Sequence, residues 1–475
     1  MNLLIMYKYL LSLCEFCGYY NFVHNAIVSG KFGGAVDIMK LSRRKVYVLC
    51  ILILAAVVNL RCGSSSSHDA VIIGNAQFDE YIPLLAGKRT ALFSNHTGIV
   101  GDQTSENAPH NIDIHFGIDD SGQTITYGEH VLDAMLERGV NVVAIFCPEH
   151  GFRGTADAGA EIDDSVDEKT GIPILSLYEN NTHSPSSEDM AKFDVLVVDM
   201  QDVGLRYYTY YISMYYLMDA CAQNGKEVII LDRPNPNGFY VDGGLLREGY
   251  ESGVGRLPLP IVHGMTFGEL ARMINGEGWL SSGRDSCALT VIPCKNYTHQ
   301  TKYSLIRNPS PNIKSMRAVY LYASTCFFEN TKVSVGRGTE FPFEVYGSPY
   351  FEGVEGFDFT FTPRSMAGAL EPPFMDETCY GEDLRVVPIG EIWDAGINLD
   401  YLIRAYNAYM GTSPQESFWG NPNSNGYYWI DLLSGSDELR TMIDAGKTAE
   451  EIKASWQEDI AAFKIQRKPY LLYEE

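Results

Sequence analysis

Val195-Leu196-Val197-Val198-Asp199-Met200-Gln201-Asp202-Val203-Gly204-Leu205-Arg206 passes from four apolar residues straight into a cluster of charge. A continuous apolar run, rather than an alternating one, marks a strand covered on both faces, as in a parallel sheet. Three other segments repeat the pattern. Residues 90–93 lead into Ser94-Asn95-His96-Thr97-Gly98, residues 142–147 into Pro148-Glu149-His150-Gly151, and residues 228–231 into Asp232-Arg233-Pro234-Asn235-Pro236. The carboxyl ends of such strands line the ligand crevice, so the four clusters are expected to converge on one site.

Around these strands the chain reads as successive βαβ units between about residues 80 and 240. Helices are expected over residues 129–138, stopped by Gly139, and over 207–224, stopped by Gly225, with a further strand at 174–177. The sum is a doubly wound parallel sheet. No Gly-x-Gly-x-x-Gly follows the first strand and no Walker A loop occurs, so the topology implies no nucleotide and no cofactor. At 475 residues the chain exceeds one compact core and suggests two domains. The glycine-rich stretch 242–256 reads as the crossing between them, giving a catalytic domain over 69–250 and a smaller α/β domain over 251–475. In the latter, helices are expected at 266–275, 399–408 and 436–444, and a strand at 317–322.

The first 68 residues stand outside this plan. Met39-Lys40-Leu41-Ser42-Arg43-Arg44-Lys45 is a basic segment, residues 46–60 are apolar, and Cys62 precedes a serine tether. This resembles a bacterial lipoprotein signal beginning at Met39, with residues 1–38 an over-read of the start, although Arg61 stands where a small residue is usual. Export to the periplasm of a Gram-negative bacterium is expected, with a possible lipid anchor at Cys62. A formal charge of -24 argues against nucleic acid as a partner. Six cysteines lie beyond the leader, none in a Cys-x-x-Cys pair. Cys287 and Cys294 are close enough for a local bridge, and the others read as buried thiols.

Glu149 is the sharpest chemical candidate. A carboxyl group on a tight turn beside apolar surface has a raised pKa and suits general acid work, with His150 beside it. The bland alternative is that both satisfy the turn's backbone or pair with Arg153. Asp199, Gln201, Asp202 and Arg206 form a dense polar group entering a tyrosine-rich helix. One aspartate there suits a base or orienting role and Arg206 a carboxylate clamp, while helix capping by Asp202 is the structural reading. Arg233 and Asn235 sit among prolines on a rigid loop suited to sugar or carboxylate recognition, or to a plain turn. Further on, His263-Gly264-Met265-Thr266 ends in a capping box with Glu269, and Arg337 stands between Gly336 and Gly338, which let backbone approach a ligand closely. A metal site from His96, Glu149, His150 and His263 matches no zinc signature, so none is expected.

Five blocks together carry a resemblance to a known family. They are Pro148-Glu149-His150-Gly151-Phe152-Arg153-Gly154, Asp199-x-Gln201-Asp202-x-Gly204-x-Arg206-x-Tyr208-Thr209-Tyr210, Leu231-Asp232-Arg233-Pro234-Asn235-Pro236, His263-Gly264-Met265-Thr266-x-Gly268-Glu269-Leu270, and Ser334-x-Gly336-Arg337-Gly338-Thr339. From about residue 80 to the C-terminus the chain resembles the bacterial exo-β-N-acetylmuramidases of the NamZ type. The resemblance implies a Rossmann-like domain joined to a smaller α/β domain, with the active cleft between them. It implies hydrolysis releasing N-acetylmuramic acid from the non-reducing end of peptidoglycan fragments, with Glu149 at the family's catalytic glutamate. His96, Lys314 and Asn330 depart from the family pattern and bear on substrate preference. Glycoside hydrolysis asks for a second group, for which Asp202, Glu329 and the substrate's own acetamido oxygen stand open. Asn95, Gln201, Arg206, Tyr210, Arg233, Asn235, His263, Asn312, Glu329 and Arg337 are the expected binding residues; the lactyl carboxylate calls for an arginine, which Arg206, Arg233 or Arg337 can supply. Two other classes are a wall-fragment binding protein without turnover and a metal-dependent hydrolase.

Overall fold

The computed structural model describes residues 70–101, 112–118, 123–124, 127–148, 152, 165–175, 177, 184–281, 286–412 and 414–475. Residues 69–475 form one compact unit. The leader with Cys62, and Glu149, His150 and Arg153, lie outside the described residues.

Seven strands make the main sheet: β1 (Thr90–Ser94), β2 (Val142–Phe146), β3 (Ser165–Val166), β4 (Pro173–Leu175), β5 (Val195–Asp199), β6 (Glu227–Leu231) and β9 (Ala288–Ile292). Their order is β3-β4-β2-β1-β5-β6-β9. All pairings are parallel except that of the short β3 with β4. From β1 the chain winds outward through β2 and β4, then returns to β5 and winds the other way. The direction therefore switches between β1 and β5, where an open α/β sheet places its ligand crevice.

The two faces are covered because successive residues of each strand point oppositely. Ala91, Phe93, Leu196 and Val198 enter one core layer, while Leu92, Val195 and Val197 enter the other. Helix α1 (Val131–Glu137) packs in the second layer, its N-terminus capped by His130, whose Nδ1 accepts from Leu132 N at 3.2 Å. Helix α2 is Tyr210–Asn224, buried on almost all sides and stopped at Gly225 in the left-handed conformation, φ 63°. Helix α3 (Phe267–Gly276) opens with the expected box: Thr266 accepts from Glu269 N, and Glu269 accepts from Thr266 N.

The sheet takes its last strand, β9, from beyond residue 250, and the stretch 242–256 holds β7 (Asp242–Leu245), paired with β8 (Pro260–Val262). Farther on, β10 (Val345–Ser348), β11 (Phe359–Phe361) and β12 (Cys379–Asp383) form an antiparallel sheet of order β10-β12-β11. Residues 317–322, expected as a strand, belong to helix α4 (Met316–Thr325). Nine of its ten residues are buried, so the apolar stretch can be taken for a strand, and its cap marks the helix start: Ser315 Oγ accepts from Ala318 N at 3.0 Å. Cys287 and Cys294 are not bridged; both are buried free thiols, bonded to Asn275 Oδ1 and to the carbonyl of Asp232. Among the described residues no helix is long and apolar enough to cross a membrane.

Candidate active site

The polar ends of β1, β5 and β6 do meet, and most of their side chains are engaged with each other. Asn95 Oδ1 accepts from Thr97 N and Oγ1, and Thr97 Oγ1 accepts from Gln201 N at 3.2 Å, tying β1 to β5 across the switch point. Gln201 Nε2 donates to the carbonyls of Asp202 and Pro234. Arg233 grips Asp199 by Nε and Nη2 at 2.6 and 3.0 Å. Asn235 accepts from Asn237 N and donates to the carbonyl of Met265. These residues order the loops.

Arg206 is likewise structural. It is 0% exposed, and its guanidinium donates to the carbonyls of Gly244, Leu259 and Leu433. Burial pulls its pKa down to about 10, which leaves it charged at neutral pH. His263 accepts from Met265 N, and burial, with Arg467 and Arg206 near it, lowers its pKa to about 3, so it is a neutral imidazole.

Asp202 differs from its neighbours. It does not cap α2, whose N-cap is Thr209 without a side-chain bond. Its Oδ1 accepts from Gly204 N at 2.6 Å, while Oδ2 is buried with no partner. Burial pushes its pKa up to about 7, against which the Gly204 and Val203 N–H groups pull only part of the way back. A carboxyl group half protonated near neutrality can give or take a proton, which suits acid–base work. Asn95 Nδ2, at the end of the adjacent strand, is also buried without a partner.

Two cavities flank the segment 307–312. The first, about 340 Å³, is walled by Tyr207, Tyr208, Tyr210, Tyr322, Phe343 and Trp429, with Ser310, Asn312, Cys326, Glu329 and Arg337. It joins the start of α2 to loops of the second half, and Tyr210, Asn312, Glu329 and Arg337 all line it. Tyr208 and Tyr210 both donate to the carbonyl of Pro309, at 2.7 and 3.0 Å, and Asn312 donates to that of Gly368. Glu329 Oε1 accepts from Arg337 Nε at 2.8 Å.

The second cavity, about 510 Å³, lies by the ends of β1 and β2 and is lined by His96, Ile99, Tyr127, Gly128, Glu129, His130, Asp133, Lys169 and Arg307. His96 Nε2 meets the carbonyl of Asn308 at 2.8 Å, and Arg307 donates to the carbonyl of His96. Phe152 stands edge-on to His130, which lines this cavity, with 4.9 Å between ring centres. Pro148, the residue before Glu149, is buried at the end of β2. Among the described residues no three His, Cys, Asp or Glu side chains gather as a metal centre.

Sequence reading missed the walls. Tyr322, Phe343, Trp429 and Arg307 come from separate segments; the run Tyr427-Tyr428-Trp429 after a polar loop was the one signal for the rim.

A doubly wound sheet with its polar loops at the switch point, beside a tyrosine-walled cavity holding one ion pair, is the layout of an α/β enzyme for a small polar ligand. Residues 118–317 match the family model described as exo-beta-N-acetylmuramidase NamZ, N-terminal, and residues 320–473 its C-terminal counterpart. The chain belongs to the NamZ family. It is 34% identical over 348 residues to the peptidoglycan beta-N-acetylmuramidase NamZ of Bacillus subtilis, covering 70% of this chain and 80% of that one. Two crystal structures of DUF1343 family proteins from Bacteroides fragilis share its fold. One is 51% identical with a TM-score of 0.71 and the other 26% identical with 0.66; each match covers 85% of this chain and 99% of the other.

Proposed function

We propose that this protein is a glycosidase that releases N-acetylmuramic acid from the non-reducing ends of peptidoglycan fragments. The observation that carries the reading is the match of both halves of the family model, supported by the 34% identity to the Bacillus subtilis enzyme. The first cavity supports it in kind: about 340 Å³ lies at the small end of ligand sites, a volume suited to one sugar ring, as removal of a terminal residue requires.

In this reading Glu149 is the general acid. It directly follows Pro148, which is buried just beyond the end of β2, and a glutamic acid in this role is the group that donates a proton to the leaving oxygen. Asp202 is the second group, because its free Oδ2 and raised pKa leave it able to hold or pass a proton. The tyrosines of the first cavity supply flat apolar faces for the sugar.

Turnover of a chromogenic β-N-acetylmuraminide, beside its N-acetylglucosaminide analogue, tests the reading. The expected result is release from the muraminide, lost by about 100-fold or more in Glu149→Gln with the fold intact. Absence of turnover of either compound by the wild type overturns it.

The leader fits export, with Cys62 as a lipid attachment point. Radiolabelled palmitate entering the wild type but not Cys62→Ser, in a bacterial host, is the expected result.

A further inference from the structure

We infer that Arg337 reads the lactyl carboxylate that separates an N-acetylmuraminide from an N-acetylglucosaminide, with Glu329 positioning its guanidinium. This rests on the substrate proposed above.

The first support is elimination among the three arginines expected to serve. Arg206 is held by three main-chain carbonyls and Arg233 by both oxygens of Asp199, and neither lines either of the two cavities described above. Arg337 lines the first cavity, and among the described residues its hydrogen bond is from Nε to Glu329. Among the described residues neither Nη group has a hydrogen-bond partner. The two form a planar fork of parallel donors, the geometry that fits a carboxylate two-point fashion.

The second support is how firmly the group is held. Gly336 and Gly338 have φ of +78° and +81°, and a Cβ on them would lie 2.7 Å from Val345 Cγ2 and 2.5 Å from the carbonyl of Arg364. Only glycine fits on either side of Arg337. Thr339 Oγ1 donates to the carbonyl of Gly336 at 2.6 Å, closing the turn, and Phe343 lies under the guanidinium at 5.0 Å. Side chain and loop are thus set before a ligand arrives, which lowers the entropy lost on binding.

The third support is charge. Among the described residues Arg337 and Glu329 are the only charged side chains lining this cavity. Glu329 keeps the half-buried cation paired when the cavity is empty. Bound ligand then adds a second carboxylate on the opposite edge of the same guanidinium, so the site rewards an anion at one position rather than attracting anions at large.

Calorimetric binding of methyl β-N-acetylmuraminide and its lactyl carboxamide, matched in shape and lacking the charge, tests the assignment without needing turnover. The wild type is expected to prefer the carboxylate by about 10- to 100-fold, the range of a hydrogen bond to a charged group. In Arg337→Gln the preference falls to near unity, and Arg337→Lys restores part of it. An equal affinity of the wild type for the two compounds overturns the inference even if a variant fails to fold; so does a preference that survives in Arg337→Gln. Preference without hydrolysis leaves the recognition standing and removes the glycosidase reading, while hydrolysis without preference does the reverse.

Discussion

Asp199 and Arg233, at the carboxyl ends of strands β5 and β6, form a two-point ion pair whose side chains are 0% and 3% exposed. Asp199 Oδ2 also accepts from Asn75 Nδ2, and Arg233 also donates to the carbonyl of Ile99, so the pair locks β1's loop to its neighbours. Removing one partner strands a buried charge. Asp199→Asn is expected to lower stability by roughly 3–5 kcal/mol, while Asp199→Leu with Arg233→Met together lose less. Urea midpoints of wild type, single and double variants check this, and a double variant worse than the single rejects it.

Asp202 ties stability to pH in a direction that can be measured. Its pKa is about 7 folded, raised by burial, against about 4 for an unfolded aspartate. The folded state therefore holds a proton that the unfolded state has lost, so this group's contribution is complete below pH 4 and vanishes as pH rises through 7. Asp202→Asn keeps the Oδ1 acceptor for Gly204 N and removes the titration. The variant is expected to match wild type at pH 4 and to exceed it at pH 8 by roughly 1–3 kcal/mol, below the ceiling of about 4 that the two pKa values set. Chemical denaturation at both values decides it; an equal gap at the two refutes the assignment.

Gly204 shows why this loop admits little change. Its φ is +78°, and a Cβ there would stand 2.1 Å from Asn235 Oδ1. Gly204→Ala thus meets strain and collision at once, and relief would have to move the amide that Asp202 Oδ1 accepts from. A loss of at least about 2 kcal/mol is expected, together with a turnover defect larger than that of a substitution of similar stability in the distant β10-β12-β11 sheet. Thermal unfolding and kcat/KM, measured on one preparation, check both halves.

What could be read beforehand follows from what sequence patterns encode. Strands β1, β2, β5 and β6 announced themselves because burial on both faces makes a run wholly apolar. Strand β9 gave no such run, because it lies at the sheet's edge with Ala288 and Thr290 exposed on one side. Capping of α3 was legible because Thr266 and Glu269 are three residues apart. The arginines were not separable, since Arg206 and Arg233 have the same local surroundings in sequence as a ligand-binding arginine; their partners Leu433 and Asp199 come from other segments. Arg337 differed by its flanking glycines, a local signal that the fold turns into a fixed position.

The C-terminus closes the same framework from outside. Tyr473 Oη donates to Asp232 Oδ2 at 2.5 Å and accepts from Cys294 N at 2.9 Å, and Leu472 N donates to Glu269 Oε1. Asp232 also receives Thr266 Oγ1 and Gly268 N, so three residues from two segments donate to one carboxyl group whose pKa burial raises to about 6. Tyr473→Phe leaves Cys294 N without an acceptor and takes one donor from Asp232, an expected loss of roughly 1–3 kcal/mol. Losing the donor raises the folded pKa of Asp232 further, and a raised carboxyl pKa withdraws stability as pH rises through it. The deficit of the variant should therefore grow from pH 5 to pH 8. Urea unfolding of both proteins across that range tests it, and a deficit that shrinks toward pH 8 would show that the tyrosine does not support the charged carboxylate.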